Sequence, residues 1–352
     1  MSARYRRVPT IWRRRAVTTG YAAAGAAIAA VLDFPVPLLL GSLFACLVAA
    51  LLQVRMESYG IVSDLFRTYL AVTVGASVTP AVILGLPALA PSLALMAVYT
   101  CLIAAVGYPL LRCVFRYDRA TAYFSAMPGG LQEMLTFGEA AGGNMRTLSL
   151  IHATRVMLIV SAAPFFLDLF WGLDLTRPPA VAGPPIDPWE TVIMLLAGPV
   201  GWWVAERIRL FGASIIGPLL LTAGLSLSGV ITGRPPAEMI WAMQFVIGLS
   251  VGVKYAGVTL RELRTDVAAG AAYSVVLTVI SGSAVLLVVS LGLAAPLEAL
   301  LAFLPGGQGE MVIIGIIAGA DLAFVISHHL LRYFLVTLTA PLAARHVRNP
   351  EP

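Results

Sequence analysis

Two carboxylates stand out in an otherwise apolar chain. Glu133 and Glu310 each follow a Pro-Gly-Gly turn, in Met127-Pro128-Gly129-Gly130-Leu131-Gln132-Glu133-Met134 and Leu304-Pro305-Gly306-Gly307-Gln308-Gly309-Glu310-Met311. An acid in such surroundings is costly, and it either binds a proton or cation or complements the positive end of a helix. Proline removes a helix donor and paired glycines permit a sharp turn, so each motif should break a helix. The helix restarting near Leu131 or Gln308 then offers free N–H groups and a positive dipole end to a polar or anionic group. Pro128, Gly129, Gly130, Gln132, Pro305, Gly306, Gly307 and Gln308 are therefore the expected solute-binding residues. Glu133 and Glu310 are the expected carriers of a coupling proton or cation. The competing account makes the turns purely structural and the acids helix caps.

Further on, His152 and Arg155 are spaced to share one helical face, and His329 and Arg332 repeat that spacing. An arginine in mid-helix needs a partner, and Glu133 or Glu310 is the expected one, as a fixed ion pair or as a relay. Asn144 and Asp321 precede their helices and read as N-caps. No metal or cofactor is expected. His328 and His329 are adjacent and point to different helix faces, and no tight His/Cys spacing occurs. Cys46, Cys101 and Cys113 lie in apolar runs and read as buried small hydrophobes.

The two motifs are copies. A constant offset of 177 residues carries Pro128 to Pro305, Gly142 to Gly319, Asn144 to Asp321, His152 to His329 and Arg155 to Arg332. Weaker matches extend the duplication, with Leu40-Gly41-Ser42-Leu43 resembling Ile216-Gly217-Pro218-Leu219 and Gly75-Ala76-Ser77 resembling Gly248-Leu249-Ser250. Residues 16–171 form the first repeat, 189–345 the second, and 172–188, rich in Pro, Asp and Gly, the linker. Residues 1–15 and 346–352 are expected as cytoplasmic tails.

Composition decides the medium. Of 352 residues 59% are hydrophobic and 12% charged, with a mean hydropathy of +0.89. That describes an all-α polytopic membrane protein whose partner is the lipid bilayer, with no basic soluble domain for a nucleic acid. Apolar segments run at 17–32, 36–54, 61–84, 89–112 and 147–171, then at 189–206, 212–231, 237–256, 266–293 and 322–344. The Pro-Gly-Gly segments, 119–143 and 296–319, are each cut into halves of about ten residues, which at about 1.5 Å per residue reach only half the bilayer. Each is therefore a re-entrant hairpin or a broken crossing helix.

The positive-inside rule arbitrates. With an internal N-terminus and a hairpin, nineteen of the 23 Lys and Arg residues fall on the cytoplasmic side, with Arg177 and Arg234 outside and Arg155 and Arg332 within helices. A crossing segment gives fifteen inside and six outside. The hairpin leaves about five spanning helices per half, an odd number, so the second repeat is inverted and both termini are cytoplasmic.

The doubled Pro-Gly-Gly-x-x-Glu-Met, followed by Gly143-Asn144 or Ala320-Asp321 and by His-x-x-Arg, resembles the membrane AbrB family with its duplicated domain, across residues 17–345. Members of that family are often labelled regulators of gene expression or ammonia monooxygenases. It shares a name with a soluble DNA-binding regulator whose swapped-hairpin domain has no counterpart here. The layout is also similar to the cation/proton antiporter and anion transporter superfamily. The expectation is a non-enzymatic secondary transporter of a small solute in the bacterial inner membrane, homodimeric and coupled to protons or cations. The alternatives are a membrane-embedded regulator acting through a partner and, third, an oxygenase-like enzyme.

Overall fold

The computed structural model describes residues 8–176, 187–210, 212–233 and 236–348, apart from a few side chains of which that of Gln132 is one. Arg4, Arg6, Arg7, Arg177 and Arg234, which enter the charge count, lie outside the described residues. Among the described residues every regular element is a helix. The first repeat supplies α1 (Val8–Val31), α2 (Pro37–Leu51), α3 (Ile61–Ala76), α4 (Pro80–Gly85), α5 (Ala90–Pro109), α6 (Arg119–Ala126), α7 (Leu131–Ala140) and α8 (Met145–Trp171). The second supplies α9 (Pro188–Arg207), α10 (Ala213–Leu227), α11 (Ala237–Val253), α12 (Leu260–Glu262), α13 (Ala268–Ser290), α14 (Pro296–Phe303), α15 (Gln308–Ala318) and α16 (Leu322–Val347).

Four continuous helical stretches are long and apolar enough to cross a membrane: Val82–Val114, Met145–Trp171, Leu260–Ser290 and Leu322–Val347. The best apolar windows of the first and third are only 28% buried. Val98, Leu102, Val275, Val279 and Leu286 stand outward on them, a face that suits lipid and not water.

Several expected boundaries move for identifiable reasons. α1 begins inside the stretch expected as a tail. The segment expected at 61–84 stops at Ala76, because Pro80 lacks an N–H and drives Thr79 into extended backbone (φ −110°, ψ 165°). Thr79 Oγ1 then caps the next helix at Val82 N, 3.3 Å away. The segment expected from 266 starts six residues earlier, where Thr259 and Glu262 form a capping box. It passes through a π turn, Leu263–Val267, before α13. α2, α10 and α11 are only 15, 15 and 17 residues long. Of the cysteines only Cys46 is buried; Cys101 and Cys113 are exposed on the outward side of Val82–Val114.

The chain divides into two compact units, and both repeats contribute to each. The first takes its described residues from 1–86, 164–257 and 312–323. Its helices pack at backbone distance: a Cβ on Gly41 of α2 would meet Ala29 Cβ of α1 at 2.8 Å, and one on Gly217 of α10 would meet Ala205 Cβ of α9 at 2.6 Å. Gly75 of α3 lies against Leu219 O and Thr222 of α10, while Gly252 of α11 lies against Leu43 O and Cys46 of α2. Each repeat's third helix thus packs on the other repeat's second. The second unit takes 87–163, 258–311 and 324 onwards, and it contains both Pro-Gly-Gly turns. Its core includes Met96, Phe124, Met134, Leu277 and Phe303, all fully buried.

Candidate functional site

Both helices break where proline requires it. α6 ends at Ala126 and α7 begins at Leu131; α14 ends at Phe303 and α15 begins at Gln308. In an uninterrupted helix the carbonyl of Phe124 would accept from the N–H of residue 128, which is proline. His152 on α8 replaces that donor, its Nε2 lying 2.8 Å from Phe124 O. His329 on α16 does the same for Leu301 O, opposite Pro305, at 3.0 Å. A carbonyl only accepts, so the hydrogen sits on Nε2 in both rings.

One turn further along each helix, Arg155 Nη1 donates to Met127 O and Arg332 Nη1 to Leu304 O, both at 3.3 Å. The last cut carbonyls are served from the opposite repeat. Tyr273 Oη donates to Ala126 O and Tyr99 Oη to Phe303 O, each at 2.5 Å. Ser281 Oγ lies 2.7 Å from Tyr99 Oη. The two histidines, two arginines and two tyrosines that cap the cut carbonyls are all buried, as is Ser281. A buried carbonyl without a partner would cost about 1–3 kcal/mol, so His-x-x-Arg together with a cross-repeat tyrosine makes each break tolerable. The guanidinium also complements the negative end of the half-helix it caps.

The expected ion pairs are not formed. Neither Arg155 nor Arg332 pairs with Glu133 or Glu310; ion pairs form elsewhere, between Arg14 and Glu57 at 4.0 Å and between Arg146 and Glu262 at 2.8 Å. The arginines serve the carbonyl end of the first half-helix, whereas the glutamates belong to the amide end of the second. There the motif explains itself. A Cβ on Gly130 would run into Glu133 Oε2, and one on Gly307 into Glu310 Oε2. A Cβ on Gly129 would meet Met134 Cε at 2.9 Å, and one on Gly306 would meet Met311 Cε at 2.9 Å. The second glycine of each pair makes room for the glutamate and the first for the methionine.

The other expected residues are placed as follows. Pro128, Pro305 and Gly306 are buried, and Gly129, Gly130, Gly307 and Gln308 are half-buried. Gln308 Nε2 donates to His329 O at 3.0 Å, which ties the start of α15 to α16. Gln132 occupies the second position of α7, and its side chain lies outside the described set. Asn144 Oδ1 accepts from Arg146 N and Thr147 N, and Asp321 Oδ1 accepts from Ala323 N, so both cap their helices. Asn144 N also donates to Thr121 Oγ1 at 2.8 Å, so the chain leaving α7 returns to the start of α6.

Sequence reasoning missed three tyrosines. Tyr99 and Tyr273 are 174 residues apart and fall outside the constant offset. Tyr333 Oη donates to Glu133 Oε1 at 2.8 Å, and Val156 stands at the matching place in the first repeat.

The profile of the family described as Transition state regulatory protein AbrB matches residues 38–348. The chain belongs to the AbrB family. The matched AbrB region takes in both broken helices and both His-x-x-Arg turns. The chain is similar to "Uncharacterized protein YhjN" of Bacillus subtilis (strain 168), 26% identical over 269 residues, 71% of this chain and 69% of that protein. It is also similar to "Putative regulator AbrB" of Escherichia coli (strain K12), 24% identical over 257 residues, 71% of this chain and 72% of that protein. No solved structure matches this AbrB-family chain.

Proposed function

We propose that this protein is an inner-membrane secondary transporter of a small solute, built as two inverted repeats whose Pro-Gly-Gly turns are the tips of re-entrant hairpins. The solute pathway runs past residues 127–134 and 304–311. Glu133 and Glu310 bind the coupling proton or cation, and His152, Arg155, His329 and Arg332 hold the tips. Both termini are cytoplasmic, and the protein works as a homodimer.

One observation carries this reading: two helices are cut in a buried setting, and six buried side chains are committed to keeping the cut ends satisfied. Irregular backbone at membrane depth is tolerated where it is enclosed in protein or lines a wet cavity, and half-helix ends at repeat interfaces are where transporters bind. The return of Asn144 to Thr121 supports a hairpin, since a crossing segment would part those ends by about 30 Å. The reciprocal packing of Gly75 and Gly252, and of Tyr99 and Tyr273, supports a two-fold relation between repeats.

A regulatory role is the second reading, favoured by the family's description and by the E. coli relative's name. It would require a partner that reads the state of the membrane part.

The test uses the full chain with Cys46, Cys101 and Cys113 replaced by alanine, in sealed proteoliposomes. Single cysteines at positions 142 and 319 should label from opposite sides, and preloaded vesicles should show counterflow of a labelled small carboxylate or amine. Same-side labelling would overturn the inverted repeat. Opposite-side labelling without counterflow of any solute would favour the regulator.

A further inference from the structure

Arg155 and Arg332 carry more than their capping role uses. They are 4% and 2% exposed, and both belong to the second unit. A guanidinium presents a fork of several N–H donors. Each of the two donates through Nη1 alone, to Met127 O or Leu304 O, over a long 3.3 Å. Arg155 Nε is closed off from solvent and has no hydrogen-bond partner among the described residues. No carboxylate among the described residues pairs with either arginine. Serving one carbonyl calls for one neutral donor, as Tyr99 and Tyr273 supply. A permanent charge exceeds that duty, and a buried charge without a counter-charge is costly.

Elsewhere the same unit satisfies a buried charge from more than one side. Asp266, 7% exposed, accepts from Tyr117 Oη at 2.8 Å and from Thr147 Oγ1 at 3.2 Å. The arginines, by contrast, share one neighbourhood as like charges. Arg155 acts electrostatically on Arg332, and Tyr99 lies within reach of both. Neither Glu133 nor Glu310 is among their chief charged neighbours. Each arginine stands at the carbonyl end of an eight-residue half-helix, α6 or α14. Such an end supplies at most about half an elementary charge, so the two ends leave about one positive charge between the two guanidinium groups.

We propose that the solute carries a carboxylate, and that Arg155 and Arg332 bind that carboxylate together where the two repeats meet, one per chain. The planar fork of arginine matches a carboxylate through paired N–H···O bonds, and one negative charge balances the positive charge left over. An amine is repelled by the same pair. The inference rests on the transport reading, which brings the solute to an enclosed site, and it deepens that reading. The anion sits on the arginines at the carbonyl lips, and the coupling proton or cation sits on Glu133 or Glu310 at the amide lips. Charges of opposite sign then move together. No covalent bond forms or breaks.

The purified full chain is dialysed in neutral detergent against labelled acetate, benzoate and succinate, with labelled ethylamine as the control. Sodium is present throughout, at acidic and at neutral pH, so that either coupling ion is supplied. At least one of the three carboxylates should bind saturably, one per chain, and ethylamine should not bind. Arg155→Lys and Arg332→Lys keep a charge and a donor for the carbonyl but lose the fork. Each should weaken carboxylate binding by about tenfold or more while thermal unfolding stays cooperative.

Full affinity in a folded variant of either arginine would overturn the proposal, because a purely structural cap does not touch the ligand. So would two carboxylates bound per chain, or no binding of any of the three by the native protein. If neither lysine variant folds, the native protein's choice between the carboxylates and ethylamine decides. Counterflow of ethylamine without carboxylate binding would spare transport and overturn this site. Carboxylate binding that depends on both arginines, without counterflow, would support the site and count against transport alone.

Discussion

At the first broken helix Glu133 is half-buried and its carboxylate accepts a hydrogen bond from Tyr333 on α16. At the second, Glu310 is only 6% exposed, and the position matching Tyr333 is Val156. The carbonyl ends show no such divergence. Phe124 and Leu301 receive a histidine, Met127 and Leu304 an arginine, and Ala126 and Phe303 a tyrosine from the other repeat. The difference teaches which duties proline imposes. A missing N–H leaves the same orphan carbonyls in each copy, so the caps repeat. The acid's surroundings are not dictated by the break, and there the copies have separated.

That contrast can be broken most forcefully at the glycines that make room for the acids. Gly307→Ala drives a methyl group into the buried Glu310 carboxylate and should cost about 2–3 kcal/mol of unfolding free energy in detergent micelles. Gly130→Ala should cost about half as much, because Glu133 is only half-buried whereas Glu310 is enclosed. Equal losses would erase the distinction between the two acids.

The shared part is sharpened by Tyr99→Phe and Tyr273→Phe. Each leaves one buried carbonyl unserved, at about 1–3 kcal/mol, and Tyr99→Phe should lose slightly more because Ser281 Oγ loses its partner too. A loss at only one site would mean that the repeats are not equivalent at their cut ends. The smallest effect expected is a coupling. In a double-mutant cycle, Arg332→Met and Glu310→Gln should add to within about 0.5 kcal/mol, because the two side chains serve opposite lips of the break. A coupling of about 2 kcal/mol or more would restore the ion pair that the spacing suggested.

The breaks at Pro128 and Pro305 were legible because proline and paired glycines act on the backbone wherever they fall. The caps of α8 and α16 were legible because Asn144 and Asp321 act within three residues of themselves. His-x-x-Arg was visible as a motif but misassigned. Sequence spacing gives a shared face, not a partner, and a neighbouring acid looked a better match for arginine than a carbonyl 28 residues earlier. Tyr99 and Tyr273 were silent because an aromatic in an apolar helix carries no signal of what its hydroxyl reaches. Asp266 carried no signal in the sequence, because the hydroxyls its carboxylate accepts from, Tyr117 and Thr147, are distant in the chain.

The cross-repeat caps also set an order of assembly. His152 and Arg155 follow the carbonyls they cap by 28 residues, so they emerge from the ribosome soon after α6. Tyr273 follows Ala126 by 147 residues, on the order of ten seconds later at a synthesis rate of about 5–20 residues per second. Until then the first repeat carries an unserved carbonyl at its break, and Tyr99 waits longer still for Phe303, 204 residues on. The first repeat is not a finished object when it leaves the ribosome, and the second half completes it during biogenesis.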